Sequence, residues 1–150
     1  MVTTRRRALG MTLAAATAMV MQMGMASPAA AVPSCNPLGA WDVTVGYEGA
    51  SFTAKITYQR PNVAVLSDGP PPGGKGAGSW SLVSTAPCSF KARIQEIESQ
   101  NGQYLGRIDI RYTAVIVGNT YTSTGTSTAY DAAGAVLRTV STNQTATRSS

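Results

Sequence analysis

Residues 112–130 read YTAVIVGNTYTSTGTSTAY. Before the Gly118-Asn119 pair, Tyr112, Ala114 and Ile116 alternate with Thr113 and Val115; after it, Thr120, Thr122, Thr124, Thr126 and Thr128 take every second position. Side chains of a strand point to opposite faces in turn, so this spacing on both sides of a tight Gly-Asn pair predicts a β-hairpin. One face is apolar and the other is a band of threonines, whose branched side chains suit an extended, water-facing surface.

The same period runs outward from this hairpin. Ile108 and Ile110 continue the apolar face opposite Arg107, Asp109 and Arg111, so a single strand spans Tyr104 to Val117 and its partner spans Thr120 to Tyr130. Upstream, the alternation marks strands beginning at Trp41, Phe52, Asn62, Gly78 and Ser89, and downstream it marks a last one over Ala135 to Arg148. Asp68 to Gly76, DGPPPGGKG, breaks the pattern, because proline lacks a ladder donor and glycine resists ordering; it predicts an exposed loop. Eight strands, short connections and no helical period predict an all-β fold. An antiparallel up-and-down β-barrel is the simplest arrangement, because eight strands suffice to close a sheet and remove its edges. A two-sheet β-sandwich is the alternative with the same pattern.

The first 31 residues have another character. Arg5, Arg6 and Arg7 precede an Ala- and Met-rich apolar run and then Ala29-Ala30-Ala31, the order of a cleaved secretion signal. The expected division is residues 1–31 as signal and 32–150 as one β-barrel domain, with no stable membrane span once the signal is removed. Thr4 to Leu9 also resembles a twin-arginine export signal, which implies that the chain is exported folded. The expected location is therefore secreted or extracellular, and a bacterial source fits the signal. Of the 12 Lys plus Arg, three lie in that signal, leaving nine bases against seven acids and no basic run suited to nucleic acid. Cys35 and Cys88 allow one intramolecular disulfide, which an oxidising compartment would preserve. The alternative is a lipid anchor at Cys35, following Val32-Pro33-Ser34.

Gly39-Ala40-Trp41 resembles the opening of the first strand in the lipocalin and wider calycin group. The resemblance implies a ligand-binding barrel in which Trp41 plugs the closed end beneath an arginine from near the end of the last strand. Arg148 stands at that place, with Arg138 as second choice, and a guanidinium over an indole is a favourable cation–π pair. Gly78-Ser79-Trp80 repeats the phrase at the fourth strand, where Trp80 reads as a core or rim aromatic. Size and strand count also resemble allene-oxide-cyclase-like barrels. Avidin-type biotin sites use several tryptophans, and the two here argue against biotin.

No histidine occurs, which removes histidine-based triads, histidine metal sites and the commonest general base. No residue pattern implies a cofactor or metal, and no catalytic residue is assigned. Glu96 and Glu98 share a strand face at a spacing compatible with paired carboxylates, but a charged strand end beside Asn101-Gly102 is the simpler reading. Arg107, Asp109 and Arg111 read as a solvated face. The residues expected to line the interior are Trp41, Val43, Tyr47, Phe52, Ile56, Tyr58, Phe90, Ile94, Ile110 and Tyr112, with tyrosine hydroxyls, Arg138 or Gln144 as polar handles. These predict binding of a small apolar or amphipathic molecule as partner, without catalysis. The alternatives are a cyclase- or isomerase-type barrel enzyme helped by tyrosines or Glu96, and a secreted interaction or inhibitor protein presenting the Pro/Gly loop.

Overall fold

The computed structural model describes residues 35–150. The expectations for the secretion signal, and for the residues up to Ser34 around its cleavage site, lie outside that range.

Eight strands follow in chain order: β1 (Gly39–Tyr47), β2 (Ala50–Gln59), β3 (Val63–Ser67), β4 (Gly76–Thr85), β5 (Cys88–Gln100), β6 (Gln103–Val117), β7 (Thr120–Asp131) and β8 (Val136–Arg148). Each pairs antiparallel with its sequence neighbour, and β8 returns to β1, so the sheet is a closed barrel in up-and-down order. The β1–β8 register, with Trp41 opposite Arg148 and Val45 opposite Gln144, excludes the two-sheet sandwich.

Alternation builds the wall as expected. Along β1, Trp41, Val43 and Val45 are buried while Asp42 and Thr44 are exposed. Along β6, Tyr112, Ala114 and Ile116 are buried between exposed neighbours, and Ile110 continues their buried face. The threonine band of β7 is exposed from Thr120 to Thr126. Closure also requires tight approach between strands. A Cβ on Gly125 of β7 would stand 2.0 Å from the Arg111 carbonyl oxygen, and one on Gly78 of β4 only 1.8 Å from that of Arg93, so only glycine fits at these bends.

The up-and-down order puts the connections at two ends. One end, the mouth, carries the β1–β2 turn at Glu48-Gly49, the loop between β3 and β4, the β5–β6 turn at Asn101-Gly102 and the β7–β8 turn. The other end, the base, carries the segment from Cys35 to Leu38, the remaining turns and the end of β8. Cys35 and Cys88 form a disulfide with Cα atoms 5.3 Å apart, tying that segment to the start of β5.

Two expectations about charge are corrected. Asp109 is not solvated: it is 6% exposed, beneath Arg93 at 3.1 Å, Gln95 at 3.1 Å and Arg107 at 3.7 Å. Long side chains from β5 and β6 lie across its short one. Burial pushes the Asp109 carboxyl up, but the hydrogen bonds from Gln95 and Arg93 and the charges of Arg93 and Arg107 outweigh it and hold it below the ordinary range. Nor is Glu96 a solvated strand end. It is 7% exposed and faces the interior, because β5 continues to Gln100 and leaves Glu96 well inside the wall.

Candidate functional site: the barrel cavity

The base is packed solid. Trp41, Tyr58, Phe90 and Tyr121 are buried together, with ring centroids 4.9 Å apart for Trp41 and Tyr121, 5.1 Å for Tyr58 and Phe90, and 5.6 Å for Phe90 and Tyr121. Tilted and edge-on contacts of this kind add to the burial of large apolar surface. The Trp41 indole donates to the Pro37 carbonyl at 2.7 Å, so the segment held by Cys35 caps the base. The Arg148 guanidinium lies 4.3 Å from the Trp41 ring and donates to the carbonyls of Leu38 and, at 3.4 Å, Asn36. Arg138 is at the mouth, where it pairs with Glu48. Trp80 is half-buried and donates to the Gln59 carbonyl at 3.0 Å.

Toward the mouth the interior opens into a cavity of about 250 Å³. Its walls are mainly aliphatic, with Val45, Ile56, Leu66, Ile94, Ile110 and Val140 among them. Tyr47 and Phe52 stand edge-on with centroids 5.9 Å apart at its outer part, where Pro70, Pro71 and Pro72 also border it. Of the ten residues expected to line the interior, Tyr47, Phe52, Ile56, Ile94 and Ile110 border this cavity. Trp41, Val43, Tyr58, Phe90 and Tyr112 do not; they belong to the packed core below it. Alternation identifies inward residues but is blind to their depth along the axis.

The cavity's polar groups sit at two levels. Near the mouth, Glu96 accepts a hydrogen bond from the Gly74 backbone N–H through Oε1, which pins the Pro/Gly loop. A side chain on Gly73 would collide with the same oxygen. Burial pushes the Glu96 carboxyl above its ordinary 4.5, the Gly74 bond opposes this, and the charge of Glu98 adds to it. Glu98 and Arg138 border the cavity as well.

Deeper down, Thr142 and Gln144 of β8 border the cavity, 7% and 3% exposed. Gln144 joins a chain of hydroxyls rooted in the base. The Tyr58 and Tyr112 hydroxyls are 2.5 Å apart, Tyr58 donates to Tyr121 at 3.4 Å, and Tyr121 donates to Gln144 Oε1 at 3.4 Å. Burial raises all three tyrosines, Tyr121 to about 12, so all remain protonated at physiological pH.

Gln144 was legible as a polar handle. Thr142, Val140 and the buried Tyr121 were missed, although the alternation Val140-x-Thr142-x-Gln144-x-Ala146 and the face opposite the threonine band carried the signal. The role of the prolines carried no such signal, since it depends on where Glu96 holds the loop. Among the described residues no helix is long and apolar enough to cross a membrane. Compared with protein-family models and with curated proteins, the sequence matches none.

A closed barrel with a packed base, a half-covered mouth and an apolar interior with few polar groups is fit to hold a small ligand.

Proposed function

We propose that the protein is a secreted, lipocalin-like barrel that takes a small apolar or amphipathic molecule into its interior. The observation that carries this reading is the cavity of about 250 Å³, walled by aliphatic side chains above a base of buried, contacting aromatic rings. For scale, an engineered cavity of about 150 Å³ with such a lining stays dry and admits benzene, so a molecule somewhat larger than benzene fits here. The Cys35–Cys88 disulfide supports export to an oxidising compartment. The capped base, with Arg148 over Trp41, supports the lipocalin-like reading.

Native mass spectrometry of the secreted protein, with solvent extraction of what it carries, tests this. Bound apolar material is expected in the wild type, and much less in Ala129→Phe, which fills the cavity from β7. Persistent failure of the wild type to carry or take up any apolar molecule would falsify the proposal.

Glu96 favours a second reading, a cyclase- or isomerase-type enzyme in which a buried carboxyl supplies acid–base help to a confined substrate. Against it stands the structural duty of that carboxyl, whose Oε1 is spent on Gly74. The cavity also weakens the third reading, since the Pro/Gly loop covers a hollow rather than a filled core.

A further inference from the structure

The deep polar group of the cavity is one-sided. Tyr121 has a single hydroxyl proton, and it goes to Gln144 Oε1. Tyr121 in turn accepts from Tyr58, whose own proton is thereby spent, so Tyr58 accepts from Tyr112. The protons of the chain all run toward Gln144, and its carbonyl oxygen is their terminus. In this arrangement the oxygen is turned to Tyr121, and the nitrogen is the end left for the cavity that Gln144 borders.

The neighbouring hydroxyls do not use that nitrogen. Ser123 lies opposite Gln144 across the β7–β8 ladder, and Thr142 precedes it by two on the same face. Both are buried, and neither Ser123 Oγ nor Thr142 Oγ1 has a hydrogen-bond partner among the described residues. A buried hydroxyl without a partner is costly, on the order of 1–3 kcal/mol, and native proteins seldom leave one bare. Thr142 borders the cavity with its Oγ1 covered, and a turn about χ1, which exchanges hydroxyl and methyl, presents the hydroxyl to a ligand.

We propose that Gln144 and Thr142 form a recognition subsite for a neutral carbonyl group, and that the ligand is a small apolar ketone, ester or lactone seated carbonyl-down. This rests on the ligand-binding reading above and adds the chemistry of the ligand's polar end. A carbonyl oxygen has two lone pairs, one for the Gln144 amide and one for the Thr142 hydroxyl, and it brings no donor of its own. An anionic ligand meets no cation at that depth. Arg138 is at the mouth, paired with Glu48, and the acids that border the cavity, Glu96 and Glu98, would repel it. The apolar body then lies against Ile94, Ile110 and Val140.

Three probes of one shape test this: butyrophenone, 1-phenylbutan-1-ol and butylbenzene, titrated calorimetrically into the full-length mature protein. The ketone is expected to bind about fivefold or more tighter than the hydrocarbon, the worth of one or two net hydrogen bonds, and tighter than the alcohol. Gln144→Met should bring the ketone's affinity down to that of butylbenzene measured on the same variant. Thr142→Val, which changes only the hydroxyl to a methyl, should reduce the advantage in part and guards against misfolding of the Gln144 variant. Equal binding of ketone and hydrocarbon overturns the subsite alone. So does an advantage that survives both substitutions, or an alcohol that binds best. If none of the probes binds, this inference falls, while the ligand-binding reading stands or falls on the native mass spectrometry.

Discussion

Two buried carboxylates illustrate how neighbours decide the behaviour of one residue type. Glu96 faces an apolar cavity with a single backbone donor, whereas Asp109 lies under two arginines and a glutamine. Their pKa shifts run in opposite directions. Above the ordinary value of 4.5, an unfolded chain gives up the Glu96 proton while the folded chain keeps it, so stability falls as pH rises through that window. Glu96→Gln keeps an oxygen for Gly74 and removes the charge. Its melting temperature should match wild type in acid, below the ordinary 4.5, and gain on wild type as pH rises above it. A variant that gains nothing over that range would mean that the carboxylate is well solvated there. Asp109 works the other way: its contribution is complete above the ordinary 3.8 and is lost as pH falls through its lower folded value. Asp109→Asn should therefore lower the unfolding free energy at neutral pH, with the gap narrowing in acid, as urea titrations at several pH values will show. At the base, Arg148→Leu should cost about 1–2 kcal/mol, because it removes a cation–π contact and two carbonyl partners. Arg138→Leu should cost less, since its ion pair is exposed.

Strands were the most legible level, because period-two alternation and turn residues are local properties. The hairpin of β6 and β7 lies where Gly118-Asn119 placed it, with Val117 opposite Thr120. Glycine has two distinct uses within it. Gly118 has φ +61 with no atom within 4 Å of a would-be Cβ, so Gly118→Ala meets only backbone strain, about 1–2 kcal/mol. Gly125 sits where β6 presses against β7, and its Cβ would enter the Arg111 carbonyl and Tyr112. Gly125→Ala is expected to be the more damaging of the two by thermal melt, although its backbone needs no left-handed conformation. Equal melting temperatures would show that the strands separate easily. Sequence reading placed Gly118 in the turn but did not show this difference, because only Gly125 depends on another strand's backbone.

For the molecule as a whole, the Cys35–Cys88 bond closes a loop of 53 residues, worth about 4 kcal/mol in the chain-entropy account. It also fastens the Pro37 carbonyl beneath the Trp41 indole. Reduction, or Cys88→Ser, should lower the melting temperature and shift tryptophan emission to the red as water reaches the base. The ladder itself does not run through the bond, so far-ultraviolet circular dichroism should persist below the new transition. An unchanged melting temperature after verified reduction would remove the bond's stabilising role.

By itself the sequence determined the strand count, the turns, the inward and outward faces and the single possible disulfide. These follow from backbone period and from residue types that permit or forbid a ladder. Only the tertiary structure decided which inward residues fill the base and which enclose the cavity, because position along a tilted, closed barrel is set by register around all eight strands. It also decided that Glu96 and Asp109 are buried and that Arg148, rather than Arg138, covers Trp41. Burial and contact are made by distant parts of the chain, and no local pattern encodes them.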